Sequence, residues 1–391
     1  MRVRPPIRAR RRVASISVAV TLVASTLASA ADTASARPFG PSSPWNVVLP
    51  TNAALQANSR GLVSDLVRQV NERTPWINTT KWSVPVYTVP ADQPTVRVKV
   101  DIPGQDNAWN NDMFTNLADA LELQSKFEAV PIPPNAHAGD DTDHGLLIWQ
   151  PASDTAWEFW EARNLPRDPL PWNDPTLGWH AMWGARVDHV STSDGVNQAP
   201  FGASASGLAL FGGLVRIGEL QAGHIDHAIG IAITQPKRGE FVPPATRTDG
   251  RYDGPNAIPE GTRFRLDPNL DVDSLHLPPV TRMFALAAQR YGLIVRDTAG
   301  NVVIYGENPY PTGANPYPQL FGGLTPDQIM RAFPWDRLQA ISPDAKPAAT
   351  PPPTSPKPKP RHRRPKPHAH HRHRPHHRRT HHRHTASRSY S

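Results

Sequence analysis

The chain contains no cysteine among its 391 residues. This absence excludes a disulfide-built scaffold, a thiolate zinc site, a cysteine nucleophile and a lipid anchor on an N-terminal thiol. The sequence also lacks Gly-x-Ser-x-Gly, the phosphate-binding Gly-Lys-Ser/Thr and a dinucleotide fingerprint, which argues against the common hydrolase, nucleotide-hydrolysing and NAD-dependent classes. With 38% hydrophobic and 19% charged residues, the composition is that of a globular protein with one or two cores.

Acidic residues are missing from the C-terminal stretch 346–391, which holds 4 Lys, 9 Arg and 10 of the 17 His. Residues 38–345 instead carry 22 basic and 33 acidic side chains, a formal charge of −11. The excess of positive charge therefore belongs to a proline-rich stretch that cannot bury a core. We predict a disordered, cationic tail over 346–391 and no nucleic-acid-binding domain.

The N-terminus has the layout of a cleaved secretory signal. Four arginines between positions 8 and 12 precede an apolar run over 13–30, and small-residue triplets lie at 28–30 and 34–36. An uncleaved anchor is the alternative, although the run is rich in Ser, Thr and Ala and only weakly hydrophobic. No later run approaches the ~18 residues that span a bilayer. We predict a signal peptide over 1–36 and an extracellular mature chain without a membrane span, with general and twin-arginine export both open.

Residues 38–345 are predicted to form a single globular domain rich in β-structure. Short apolar runs between turn residues predict strands over 82–89, 95–102, 144–150, 155–163 and 179–187. Helical patterns cover 62–71, 206–220, 280–291 and 325–333. The expected fold class is mainly β, an antiparallel sandwich or jelly roll with a few packed helices; the alternative is an α+β domain.

Tryptophan is concentrated between positions 149 and 183, where six of the 11 indoles fall. Strand periodicity places Glu158 and Trp160 on one face of the segment 156–162. A carboxylate beside an exposed indole is typical of a sugar-binding cleft, because the ring stacks on the apolar C–H face of a pyranose while the acid serves its hydroxyls or protons. The alternative is that both sheet faces are covered and Trp160 belongs to the core.

His144 opens a predicted strand directly after the acidic turn Gly139-Asp140-Asp141-Thr142-Asp143. Neighbouring carboxylates raise the pKa of a histidine and suit it to act as a base or a metal ligand. The alternative is a turn-capping aspartate with a hydrogen-bonded histidine.

The segment 223–233 alternates like a strand, with His227 among isoleucines on one face and His224 on the other. The two histidines point apart, so a zinc pair is disfavoured, and the glutamate of the metalloprotease motif is missing. His227 is a satisfied core histidine unless its face lines a cleft. In the preceding predicted helix, Arg216 and Glu219 are three residues apart and can form a salt bridge.

Oxygen ligands alternate over 267–273 as they do in calcium loops. Val272 stands where an EF-hand needs glycine, and Pro278 where it needs a bidentate glutamate, so a calcium site is disfavoured. We predict that the domain carries no resident metal or cofactor.

Several ordered motifs resemble a family of secreted, mostly actinobacterial proteins of unsettled activity. The motifs are Trp45-Asn46, Asp143-His144, Trp157-Glu158-Phe159-Trp160, Ser206-Gly207-Leu208, Gly223-His224-Ile225-Asp226-His227-Ala228, Arg263-Phe264-Arg265-Leu266 and Tyr291-Gly292. In this pattern His144, Glu158, Glu219 and His227 match motif positions, whereas His224 is incidental. The resemblance implies one extracellular domain and supplies no reaction.

These features favour a secreted carbohydrate-active enzyme that acts on extracellular or cell-wall polysaccharide. The candidate catalytic residues are Glu158, His144, His227 and Glu219, and the candidate substrate-binding residues are Trp160, Arg216 and Asp143. Glycoside hydrolysis needs two carboxyls at one bond. A lyase instead needs a base such as His144 and a cation such as Arg216 to neutralise a uronate. Because the domain is acidic, a polyanionic substrate is disfavoured and hydrolysis ranks slightly above lyase chemistry.

A non-catalytic wall-binding protein is the alternative function. In that case the tryptophan cluster binds glycan, and the cationic tail adheres to anionic wall polymers.

The tail histidines predict weak binding of Zn²⁺, Cu²⁺ or Ni²⁺ without folding of the domain, the alternative being a solvated spacer that penetrates the wall. In a calorimetric titration with Zn²⁺, we expect a heat of binding for the full-length protein that disappears when residues 346–391 are deleted. Identical heats for the two proteins would contradict metal binding by the tail.

Overall fold

The computed structural model describes residues 37–101, 117–170 and 176–345, all of which belong to one compact unit. The predicted signal peptide and the predicted tail lie outside these residues. Within the described ranges, no helix has the length and apolar character needed to cross a membrane.

The described residues are mostly sheet, which confirms the mainly β class with a few packed helices. The strands are β1 (Trp76–Asn78), β2 (Val84–Thr88), β3 (Val98–Val100), β4 (Leu146–Gln150), β5 (Thr155–Trp160), β6 (Arg163–Leu165), β7 (Gly178–Ala181), β8 (Trp183–Asp188), β9 (Ile229–Ile233), β10 (Pro236–Phe241), β11 (Ile258–Glu260), β12 (Arg263–Leu266), β13 (Leu293–Thr298), β14 (Val303–Tyr305), β15 (Glu307–Asn308) and β16 (Leu338–Ile341). The helices are α1 (Ser59–Glu72), α2 (Leu117–Lys126), α3 (Ile217–Ala222), α4 (Pro279–Arg290), α5 (Tyr317–Leu320) and α6 (Pro326–Arg331).

Two large sheets share a core, as the sheets of a sandwich do. One sheet has the strand order β1-β14-β9-β13-β12-β16, and the other has the order β15-β2-β4-β5-β8. Alanine and aliphatic side chains from both sheets meet in one buried cluster, together with residues 208–211 and Leu214. The segment between β8 and β9 therefore fills part of the space between the sheets.

The outer faces of the two sheets are covered as well. Helices α1, α4 and α6 bury their apolar sides against the six-stranded sheet, where β9 is buried along its whole length. Against the five-stranded sheet, α2 and the small sheet β3-β7-β6 cover a second apolar cluster that includes Trp157 and Phe159. Strand β5 is thus buried on both faces, as its pattern of alternating large side chains allows.

The sheets mix parallel and antiparallel pairing, whereas short strand spacing predicts antiparallel pairing alone. Strands β4, β5 and β8 do form an antiparallel meander. Strands β2 and β4, β9 and β13, and β1 and β14 pair in parallel. Parallel neighbours require long crossover connections, and such partners leave no local signal in the sequence.

The structure corrects three of the sequence assignments. The predicted strand over 179–187 is two strands, β7 and β8, which belong to different sheets. The predicted helix over 206–220 is wrong except for its last turn, because Gly207 and Gly213 have φ angles of 77° and 68°, in the left-handed region that helices avoid. The predicted strand over 223–233 forms only from Ile229 onward, so His224 and His227 lie in the preceding loop. The predicted helices at 62–71, 280–291 and 325–333 are present, with ends displaced by a few residues.

Phe284→Ala, on the buried side of α4, is expected to lower the free energy of unfolding by about 3–5 kcal/mol, because it removes a buried ring and leaves a cavity. Leu286→Ala on the same helix is the control, since Leu286 is 37% exposed, and it is expected to cost less than about 1 kcal/mol. Denaturant unfolding followed by circular dichroism measures both. Equal losses would contradict this placement of α4.

Candidate functional site

Glu158 lies inside the sandwich and does not face an open trough, so the expectation that its side chain is solvent-accessible is wrong. Only 2% of the residue is exposed. Its Oε1 accepts hydrogen bonds from Asn197 Nδ2 at 2.8 Å and from the backbone N–H of Ala203 at 3.0 Å, and Oε2 accepts one from the N–H of Leu210 at 2.6 Å. Burial raises its pKa against the effect of these bonds. The carboxyl group of Glu158 therefore binds the segment 197–210, which lies between the sheets, and it has no access to substrate.

Arg247 binds the backbone carbonyl oxygens of the same segment. Its guanidinium donates to the backbone oxygens of Ala205 at 3.1 Å, Gly202 at 2.9 Å and Ser204 at 2.6 Å, and it also reaches those of Pro200 and Phe201. Burial lowers the pKa of Arg247, partly offset by nearby carboxylates, with Asp297 first among them. Residues 200–210 are therefore fixed through both their N–H and their C=O groups.

A pocket of about 240 Å³ opens beside this segment, at the edge of the sandwich where β5 ends and β4 and β8 begin. Both large sheets contribute to it, since the last residues of β13 and β14 form the opposite wall. The charged, tryptophan and tyrosine residues that line it are Trp82, Asp141, Asp143, Trp160, Trp183, Arg247, Asp249, Arg296, Asp297 and Tyr305.

Two of the pocket carboxyls have raised pKa values. Burial raises the pKa of Asp297 to about 7, helped by the negative charge of Asp249. Desolvation by the pocket walls raises the pKa of Asp143 to about 6, with further contributions from Asp141 and Glu161, although the residue itself is exposed at the mouth. The Trp160 side chain hydrogen-bonds the Asp143 carboxyl and opposes this shift. The predicted substrate-binding residues Asp143 and Trp160 thus lie together in one pocket.

A further acid, Glu260, lies behind the pocket and is fully buried. No donor in the described residues reaches hydrogen-bonding geometry with either of its oxygens. Burial raises its pKa to about 9, and the charges of Asp297 and Asp249 add to the shift. Glu260 is therefore a neutral acid at pH 7.

The buried guanidinium of Arg296 also donates its hydrogen bonds to the protein backbone. Arg296 Nη1 donates to the backbone oxygens of Leu210 and Gly212, both at 3.0 Å. Its guanidinium lies 4.1 Å from the centre of the Tyr305 ring. Arg296 lowers the pKa of Asp297, but less than burial and Asp249 raise it.

Backbone strain is concentrated around the acidic turn at the pocket mouth. Trp82, His144 and Glu161 have φ angles of 48°, 39° and 54°, and they are three of the six described non-glycine residues with positive φ. The N–H of Trp82 donates to Asp141 Oδ2 at 2.5 Å, and the N–H of Glu161 donates to the carbonyl of Asp143 at 2.8 Å. Each left-handed residue of this bulk costs about 1–3 kcal/mol, and such costs cluster at functional sites.

His144 belongs to this turn, and its ring is directed at the backbone. Its Nδ1 lies 3.0 Å from the carbonyl oxygen of Gly139, and its N–H donates to Asp141 Oδ1 at 3.1 Å. The residue does not line the pocket. This geometry agrees with the alternative of a turn-capping aspartate and a hydrogen-bonded histidine.

His227, Glu219 and Arg216 form a separate cluster that contributes no wall to the pocket. His227 Nε2 lies 3.0 Å from Glu219 Oε1, and its Nδ1 lies 2.8 Å from the carbonyl oxygen of Ala228. Arg216 Nε donates to Glu307 Oε2 at 3.0 Å. Burial opposes the charged form of His227, but the charge and hydrogen bond of Glu219 outweigh it and raise its pKa.

Sequence reasoning missed most of the acids and aromatics that line the pocket. Arg296 and Asp297 follow the apolar start of β13, and a charge at the end of a buried strand is a usable signal. Asp249 and Tyr305 have no such signal, because the fold alone brings them to Asp143. Among the described residues, no group of three or more His, Asp or Glu side chains has the geometry to hold a metal ion.

Comparison of the chain with protein-family models, with curated proteins and with solved structures finds no match. The resemblance of the ordered motifs to secreted actinobacterial proteins stays a prediction.

Because the pKa of His227 is raised above its usual value of about 6.5, the ion pair with Glu219 stabilises the fold fully below pH 6.5. Its contribution is lost as the pH rises through the folded-state pKa. We expect the free energy of unfolding to fall as the pH rises above about 6.5, and His227→Gln to flatten this part of the profile. His137→Gln, at an exposed histidine, is the control and should leave the slope unchanged.

Proposed function

We propose that this protein is a secreted carbohydrate-active enzyme that hydrolyses glycosidic bonds in extracellular or cell-wall polysaccharide. The observation that carries the proposal is the meeting of indole and carboxyl groups in one pocket, which is lined by Trp82, Trp160, Asp143 and Asp297. Indoles bind the apolar faces of sugar rings, and paired carboxyls supply the acid and the base or nucleophile that hydrolysis requires.

Asp297 is the general acid in this proposal, and Asp143 is the carboxylate that activates water or attacks the sugar. Their pKa values of about 7 and about 6 leave Asp297 protonated and Asp143 ionised in the interval between them. Environments that separate the pKa values of two carboxyls are the usual means of dividing these roles. Trp160 positions Asp143 through their hydrogen bond.

Hydrolysis is favoured over lyase chemistry by the placement of the cations. A lyase needs a free cation to neutralise the uronate carboxylate. Arg247 and Arg296 instead donate to backbone carbonyls, while Asp141, Asp143 and Asp249 add acidic groups to the pocket walls besides the general acid. A neutral glycan therefore fits this pocket better than a polyanionic one.

Non-catalytic glycan binding at the same pocket is the second candidate function. Trp82 is 47% exposed and offers a surface on which a sugar ring can stack without any bond being cleaved. In both cases the predicted signal peptide supports export, and the cationic tail supports adhesion to anionic wall polymers.

Asp297→Asn and Asp143→Asn are each expected to lower kcat about 10²–10⁴-fold, the range for removal of a general acid or base. Asp92→Asn, at an exposed aspartate that does not line the pocket, is the control. Release of reducing ends from neutral wall and plant polysaccharides measures the rate. The wild-type pH profile should be bell-shaped, falling below about pH 6 as Asp143 gains a proton and above about pH 7 as Asp297 loses one.

Activity that survives both pocket substitutions would overturn the assignment of these roles. Retention of glycan without release of reducing ends from any polysaccharide would establish the second candidate in place of hydrolysis.

A further inference from the structure

Two exposed aromatic rings lie along the acidic turn, Trp82 at the mouth of the pocket and Tyr310 outside it. Trp82 is 47% exposed and Tyr310 is 43% exposed. Single exposed apolar side chains are ordinary on a folded surface, whereas neighbouring aromatic rings form a patch of the kind that binds ligands. The segment 137–141 connects the two rings, because His137 contacts Tyr310 and Asp141 contacts Trp82.

Tyr310 is fixed at one end of this segment. Its backbone N–H donates to Asn308 Oδ1 at 3.0 Å, and Asn308 is itself buried and donates to Ser83 Oγ at 3.0 Å. The Tyr310 ring lies 5.7 Å from the His137 ring, centre to centre. Desolvation raises the pKa of Tyr310, and the charges of Asp140 and Asp141 add to the shift, so these carboxylates lie near the phenol.

Trp82 is fixed at the other end, at the mouth of the pocket. Its N–H donates to Asp141 Oδ2 at 2.5 Å, and its indole Nε1 donates to Thr142 Oγ1 at 3.1 Å. Asp141 thus contacts Trp82 and also lies within electrostatic range of Tyr310. The surface formed by Trp82, Asp141, Asp140, His137 and Tyr310, which we call the aromatic shelf, is continuous with the pocket.

The pocket alone is small for an oligosaccharide. Its volume of about 240 Å³ lies below the ~300 Å³ at which sites for drug-sized ligands begin. It can hold the sugar ring at the reacting bond, and the rest of a longer chain must lie outside. The aromatic shelf adjoins the pocket, and it offers rings for stacking and hydrogen-bond acceptors to the rest of the glycan chain.

We infer that the substrate is a neutral glycan several residues long, which extends from the pocket across Trp82 to a second subsite on Tyr310 and His137. This inference rests on the proposed function and adds the length and charge of the substrate. The rings stack on sugar faces, and the carboxylates of Asp140 and Asp141 accept hydrogen bonds from sugar hydroxyls. The same carboxylates repel uronate and sulfate groups, so the shelf selects against acidic polymers.

The test compares binding of six-residue and two-residue oligosaccharides of cellulose, xylan and mannan to the full-length Asp297→Asn protein by calorimetry. The ratio of hexasaccharide to disaccharide affinity should fall about 3–10-fold in Tyr310→Ala, because one stacking contact is lost from the longer ligand alone. Tyr310→Phe should restore the ratio. Trp82→Ala should weaken binding of both lengths.

Trp76→Ala is the matched control, because Trp76 is also exposed but lies on the edge strand β1, away from the shelf. It should leave the ratio unchanged, and thermal unfolding should show each variant to be folded. A ratio unaffected by Tyr310→Ala would overturn the second subsite while the pocket retained its disaccharide. Failure of the wild-type protein to bind or cleave any of these glycans at either length would overturn the proposed function itself.

Discussion

The carboxylate of Glu158, buried between the two large sheets, fixes the segment on which the pocket depends. A buried carboxyl group in this position needs hydrogen-bond partners, because a buried polar group left without its partner typically costs about 1–3 kcal/mol. Asn197, Ala203 and Leu210 supply the donors. Arg247 binds the carbonyl oxygens of the same segment. The pocket wall is therefore set by two groups, Glu158 and Arg247, whose hydrogen bonds go to the protein itself.

The pKa values of the pocket acids depend on where two nearby arginines, Arg247 and Arg296, direct their hydrogen bonds. Arg247 and Arg296 direct their N–H groups to backbone oxygens, so the pocket aspartates have no direct guanidinium partner among the described salt bridges. Desolvation then raises the pKa values of Asp297 and Asp143, and the neighbouring negative charges add to the effect. The neutral acid Glu260 is the extreme case, because burial and the charges of Asp297 and Asp249 act together. A chain with a strongly acidic domain can in this way keep acids protonated near neutral pH.

The sequence predicted the individual elements better than the site. The continuous apolar run at 146–150 and the alternating run at 155–160 are recognisable as strands, and α4 has a clear apolar side and an end before Gly292. The pairing of Asp143 with Trp160 was also accessible, because both flank the β4–β5 hairpin. The helix predicted over 206–220 does not form as expected, because packing of this segment between the sheets gives Gly207 and Gly213 a left-handed backbone conformation.

Local periodicity determined that this protein is a β-rich domain with an uneven distribution of charge, because side-chain alternation and composition act over a few residues. Periodicity also placed Glu158 and Trp160 on one side of a strand, but it could not decide whether that side is open. Tertiary structure made that decision: residues 197–214, distant in sequence, fill the space over β5, and the carboxyl ends of β13 and β14 bring Asp297 and Tyr305 to Asp143. The site is built from contacts between segments far apart in the chain, and such contacts are fixed by packing of whole sheets and leave no mark on the local pattern.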